Sequence, residues 1–77
     1  MFHITANKGF HITFANGNTV SVQFGRGNYC DNSTNDDPIP CPNAEVWAWD
    51  KDKNPLCDVQ GWQTPEEVAA FIAKYSA

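Results

Sequence analysis

Residues 2–24 read "FHITANKGFHITFANGNTVSVQF", and their alternation decides the fold. In 2–5, Phe2 and Ile4 fall on one side and His3 and Thr5 on the other. The pattern returns in 10–14, where Phe10, Ile12 and Phe14 oppose His11 and Thr13. It returns again in 19–24, where Val20, Val22 and Phe24 oppose Ser21 and Gln23. A period of two marks a strand with one buried face, because successive side chains of extended backbone point to opposite sides. The connections agree. "ANKG" at 6–9 offers Gly9 for a positive φ, and Asn16-Gly17 is the dipeptide favoured in two-residue hairpin turns. Residues 1–25 are therefore predicted to form a three-stranded antiparallel meander with one apolar face.

Beyond the meander, "AEVWAWD" at 44–50 reads as a fourth strand, "KDKN" at 51–54 as a polar turn, and "PLCDV" at 55–59 as a short fifth strand at an edge. The tail, "TPEEVAAFIAKYSA", is the clearest helix, predicted over 64–76. Thr64 is placed to cap it, Pro65 sits where its missing N–H costs nothing, and Glu67 can close a capping box. Val68, Phe71, Ile72 and Tyr75 recur at i, i+3, i+4 and i+7, one apolar stripe. A helix this short is marginal alone in water, so it must pack, and the apolar face of the meander is the surface able to receive it. The expected fold is α+β: an antiparallel sheet of four to five strands with one C-terminal helix packed on one face. Residues 1–77 form a single domain.

Residues 26–43 stand apart as a long polar loop. Pro38, Pro40 and Pro42 exclude a helix or central strand there. Connections are usually about four to six residues, and longer structureless ones are commonly functional or disordered. In a chain of 77 residues, a loop of this length with almost nothing to bury marks a working surface.

Composition is that of a globular chain, 42% hydrophobic and 18% charged. No apolar run is long enough to span a bilayer, and the first residues lack a basic region followed by an apolar one, so a soluble intracellular protein is expected. The net charge of −4 is unevenly spread. Residues 1–29 carry Lys8 and Arg26 and no acid, whereas 30–58 carry Asp31, Asp36, Asp37, Glu45, Asp50, Asp52 and Asp58 against Lys51 and Lys53. This is no basic footprint for nucleic acid. An acidic middle is either a solvated loop or a competitor for a basic protein surface.

Candidates for chemistry are few. Cys30, Cys41 and Cys57 are an odd number and show none of the short paired spacings of a zinc site, which points to reduced thiols and no metal or cofactor. The run from Asp31 begins like a calcium loop but fails at its sixth and twelfth positions, Asp36 and Pro42. Nothing aims His3 or His11 as a base at a thiol, so no enzyme is expected. Gly25-Arg26-Gly27-Asn28 reads first as a bend. It could also present backbone N–H groups and the Arg26 guanidinium to a small anionic ligand.

Alternation puts Trp47 and Trp49 on one face of the fourth strand and Val46 and Ala48 on the other. The need of a small domain for large residues inside favours indoles turned to the helix. The other orientation leaves them on the open face near His11, Thr13, Ser21 and Gln23, as a binding anchor. Trp62 is expected to plug the start of the helix, and Tyr29 to be either a lid or a contact.

The block "VSVQFGRGNYCDN" at 20–32, followed by "AEVWAWD" and "TPEEVAAFI", resembles short proteins of tailed-phage genomes to which no activity is assigned. The resemblance implies a phage or prophage origin and a role in the bacterial host cytoplasm, and it brings no catalytic residues. Small non-enzymatic phage proteins often act by binding. The expected function is a phage-encoded accessory binding protein that inhibits or modulates a host factor, such as an antiviral defence component. Its surface would combine Arg26–Asn43 with the open sheet face, with Tyr29, Trp47 and Trp49 as anchors, Asp31, Asp36 and Asp37 as an acidic rim, and Arg26 beside them. The alternatives are an oligomeric protein sequestering a small anionic ligand such as a signalling nucleotide, and a minor virion or assembly component. An intermolecular sheet edge, and so a homo-oligomer, suits so thin a core.

Overall fold

The alternating segments pair in chain order. The structure, a computed structural model, describes residues 1–6, 8–35 and 40–77. Strands β1 (Phe2–Ile4), β2 (Gly9–Thr13), β3 (Thr19–Gln23), β4 (Ala44–Trp49) and β5 (Gln60–Gln63) make one sheet in the order β1-β2-β3-β4-β5. Every neighbouring pair is antiparallel. Helix α1 (Pro65–Ser76) packs on one face, so the fold is α+β as expected.

The register follows the alternation. Phe2 pairs with Ile12, Ile12 with Val20, and Val20 with Ala48; Ile4, Phe10, Val22 and Val46 make the next row. On this face Val20, Val22, Ala44, Val46 and Ala48 are buried together with Phe71 of α1. Val68, Ile72, Tyr75, Phe10, Phe14 and Phe24 pack around them. The helix begins as its residues dictate. Thr64 accepts from the Glu67 N–H at 3.2 Å while Glu67 accepts from the Thr64 N–H at 3.0 Å, a closed capping box. At its other end the hairpin turn between β2 and β3 reaches across. The Asn16 side-chain amide donates to the carbonyls of Tyr75 and Ala77, and that of Asn18 to Tyr75, each at 3.0 Å. The Asn-Gly turn thus also satisfies carbonyls that a helix end leaves without partners.

Four expectations need correction. The indoles do not face the helix: α1 lies over the Val46 and Ala48 side of β4. Its own large residues, Phe71, Ile72 and Tyr75, need small partners on the sheet, and two layers of large side chains would hold the helix too far off. The fifth strand is Gln60–Gln63, whereas of 55–59 only Pro55 bridges, to Trp49. Trp62 is 56% exposed and plugs nothing. Finally, α1 contacts β3, β4 and β5 but not β1, leaving Phe2 73% and Ile4 76% exposed.

Candidate functional site

With α1 on one side, no helix or second sheet among the described residues lies on the other side. The odd positions of β1, β3 and β4 point there, and the register lines up His3, His11, Ser21 and Trp47 in one row and Thr13, Thr19 and Trp49 in the next. The rings are in sequence contact. The imidazoles of His3 and His11 stack with centroids 5.8 Å apart, His11 meets Trp49 edge-on at 5.0 Å, and Trp49 meets Trp47 at 5.3 Å. Trp47 is pinned by its Nε1–H, which donates to the Cys57 carbonyl at 2.8 Å. Thr19 and Ser21 are buried on this face. Their cross-strand neighbours are Trp49 and Trp47, and Thr19 shares a hydroxyl hydrogen bond with Thr13 at 2.9 Å. Burial pushes the His11 imidazole below its ordinary 6.5, and the neighbouring His3 adds to the effect. Beside the indoles lies a hollow of about 200 Å³ lined by Trp47, Trp49 and Lys53.

A second aromatic pair borders this face. Tyr29 and Trp62 stack at 5.7 Å with rings 25° from parallel, 57% and 56% exposed. Glu45, on the same face as Trp47 and Trp49, accepts the Tyr29 N–H at 2.7 Å, and the Tyr29 carbonyl accepts the Trp62 N–H at 2.8 Å. Gly61 is required here, since a Cβ would lie 2.6 Å from that of Tyr29. Trp62 itself is held at φ 52°, the left-handed region that bulky residues avoid at a cost of about 1–2 kcal/mol.

The segment 25–35 that carries Tyr29 is a built structure. Gly27 N–H bonds to the Ser33 carbonyl, Asn28 to Gly25, Ser33 to Cys30 and Asn35 to Asn32. The Asn28 amide returns to the Phe24 carbonyl at 2.7 Å, and Asn32 Oδ1 accepts both the Gly25 N–H and the Cys30 thiol, each at 2.9 Å. Cys30 is 1% exposed, so the loop does bury something. Burial raises its thiol above the usual value, with the adjacent Cys41 adding to the shift, which makes Cys30 a poor nucleophile.

Of the residues singled out from sequence, Trp47 and Trp49 lie together on the open face, and Glu45 ties Tyr29 to that face. Arg26 is exposed in the turn after β3, where Lys8 Nζ donates to its carbonyl at 2.9 Å. Asp31 is exposed, its N–H held by Asn43 Oδ1 at 2.8 Å. Asp36 and Asp37 lie outside the described residues. His3, Glu45 and Trp62 are members that sequence reasoning missed. Alternation did place His3 outward, but nothing local announced the left-handed turn that aims Trp62 at Tyr29.

A cleft of about 340 Å³ also lies between helix and sheet, lined by apolar residues such as Phe10, Phe24, Val68 and Ile72 and, among the described residues, by no charged group. Among the described residues, no three His, Cys, Asp or Glu side chains are grouped to hold a metal ion, and no helix is long and apolar enough to cross a membrane. Comparison of the chain with protein-family models, with curated proteins and with solved structures gave no match.

Proposed function

We propose that this chain is a small non-enzymatic binding protein, phage-encoded and at work in the host bacterial cytoplasm, which docks its open aromatic face onto a host protein and so inhibits or modulates it. An antiviral defence component is the class of host factor that this reading favours. The observation that carries it is the placement of the tryptophans. A domain of 77 residues has few large side chains for its core, yet this one fills the core with Val, Ala and a single buried Phe and keeps all three Trp outside it. Aromatic side chains at a surface, surrounded by polar groups, are the usual anchors of protein interfaces. The hollow beside Trp47 and Trp49 is of a size to take one partner side chain, and Lys53 gives it a positive wall. The net charge of −4 favours a protein partner over nucleic acid. The resemblance of 20–32 to tailed-phage proteins supports the phage origin.

The test is affinity purification from a bacterial lysate with quantitative mass spectrometry, using the wild type, Trp49→Ala, Tyr29→Ala and Arg26→Ala. A host protein recovered in stoichiometric amount should be lost with Trp49→Ala, weakened with Tyr29→Ala and retained with Arg26→Ala. Recovery of the same proteins by the wild type and Trp49→Ala would overturn the reading.

One observation favours a second reading, sequestration of a small anionic ligand. The contact of Lys8 Nζ with the Arg26 carbonyl brings both cations of residues 1–29 to the Gly25–Asn28 turn. Inorganic pyrophosphate or a nucleoside triphosphate should then raise the melting temperature of the wild type and not that of Arg26→Ala. No shift in the wild type would remove this reading.

A further inference from the structure

The two edges of the sheet are treated differently. At β5 the register shifts between Ala44 and Val46, Trp62 adopts a left-handed backbone, and the Tyr29 carbonyl takes the Trp62 N–H from the outside. That edge is bent and covered. At β1 none of these devices is present: the strand is Phe2-His3-Ile4, with no charge, proline or bulge. An unprotected edge beside exposed apolar side chains is a template for another strand.

The hydrogen bonds of β1 fix which groups it offers. The Met1 ammonium donates to the Thr13 carbonyl at 2.7 Å, the Thr13 N–H donates to the Met1 carbonyl at 2.8 Å, and the Thr5 N–H reaches the Gly9 carbonyl at 3.1 Å. In an antiparallel ladder such bonded pairs alternate with non-bonded ones, so His3 is turned to β2 and the N–H and C=O of Phe2 and Ile4 point away from the sheet. This spacing is self-complementary. A second copy rotated by two-fold symmetry about His3 sets Phe2 opposite Ile4 and Ile4 opposite Phe2, closing four backbone hydrogen bonds.

We propose that the chain forms a homodimer through β1, joining two five-stranded sheets into one of ten strands with the two His3 residues facing each other across the two-fold axis. On the helix side, Phe2 and Ile4 of each copy then cover one another and extend the apolar rows that α1 leaves bare. On the open side, the stacked imidazoles become a row of four, His11 and His3 of one copy followed by His3 and His11 of the other. Residues 1–29 contain no acid, and the charge beside β1, the Met1 ammonium, is held to the Thr13 carbonyl on the β2 side and so does not meet its own copy across the two-fold axis. Met1, Phe2 and Ile4 are 93%, 73% and 76% exposed. Pairing along so short a strand covers these side chains only in part. The area so buried falls below the range for stable specific interfaces, which begins at about 1,200 Å². The dimer is accordingly a concentration-dependent one.

Sedimentation velocity across a concentration series from low micromolar to millimolar tests this. The wild type should pass from the 8.6 kDa monomer to twice that mass. Ile4→Pro removes an outward N–H without touching an internal bond and should stay monomeric with an unchanged circular dichroism spectrum. Ile4→Lys gives the same readout should the proline disturb the strand. In a background of Cys41→Ser and Cys57→Ser, His3→Cys should cross-link two copies on mild oxidation, because non-bonded antiparallel pairs are about 4.5 Å apart at Cα. A wild type monomeric throughout would overturn the second copy as occupant and leave the edge to the strand of another protein. A dimer indifferent to both Ile4 variants and not cross-linked at position 3 would overturn the register and the surface together.

Discussion

Gly9 and His11, two residues apart on β2, show how much a single position decides. A Cβ on Gly9 would lie 1.9 Å from the Val22 carbonyl oxygen and 2.9 Å from its carbon, with φ at +153°. The obstacle is strand backbone, which cannot swing aside as a side chain would, so Gly9→Ala should abolish folding, seen as loss of dispersion in the amide proton spectrum. His11 acts through its charge. Its folded-state pKa is below the ordinary 6.5, from burial first and His3 second, so on acidification the unfolded chain takes up the proton before the folded one. The stability it contributes is present in full above 6.5 and is lost as pH falls through 6.5 toward the lower folded value. Urea titrations above and below that pH should show the loss, smaller in His11→Gln. Alternation alone placed His11 outward. Its stacking on His3 and its edge-on contact with Trp49 needed the register, which no single strand carries.

Among the elements, α1 is the one whose limits were written most fully in its own residues. Thr64, Pro65 and Glu67 stand in the order a helix start requires, and the capping box closes as they predict. Thr64→Ala should cost about 0.5–2 kcal/mol. For a domain of this size, each kcal/mol lowers the melting temperature by about 4–8 °C, which calorimetry would read directly. The first four strands were equally legible, because three of them alternate strictly and Asn16-Gly17 fixes one turn between them. β5 was not. Gln60-Gly61-Trp62-Gln63 is short, polar and bulged, and it becomes a strand only because β4 offers a partner edge and Tyr29 supports it from outside. The pentapeptide before it, with Leu56, Cys57 and Val59, carries the stronger local signal and yet supplies only one bridge, at Pro55. Pairing geometry overrode propensity there, as it often does in strands. The loop 25–35 was misjudged for a related reason: Asn28 and Asn32 spend their amides on its own backbone, a use that composition does not reveal.

Across the whole molecule, the fold is a single helix laid on three of five strands, with a core so small that one side chain dominates it. Phe71 is the sole buried residue of α1, 7% exposed, and joins the helix to Val20, Val22, Val46 and Ala48. Truncating such a side chain costs about 3–5 kcal/mol. A chain of this length holds about 4–12 kcal/mol in total, at roughly 0.05–0.15 kcal/mol per residue. Phe71→Ala should therefore lower the urea midpoint by at least about a quarter. The general architecture was readable because an apolar sheet face and an apolar helix stripe have one way to meet. Which face of β4 they share was not, since Val46-Ala48 and Trp47-Trp49 are both apolar. The choice fell to volume: bulk on the helix required smallness on the sheet.

The indole pair on the face opposite α1 has an optical consequence. At 5.3 Å between ring centres and 56° between ring planes, the indoles of Trp47 and Trp49 are close enough and tilted enough that their coupled transitions should give a pair of circular dichroism bands of opposite sign. The signal depends on the mutual angle of two surface rings and not on the helix or the core. Any partner that wedges between them, or turns one against the other, would collapse the couplet while the backbone spectrum stayed the same. The chain thus carries its own label at the surface through which it is proposed to act, and occupancy there can be followed without attaching a dye.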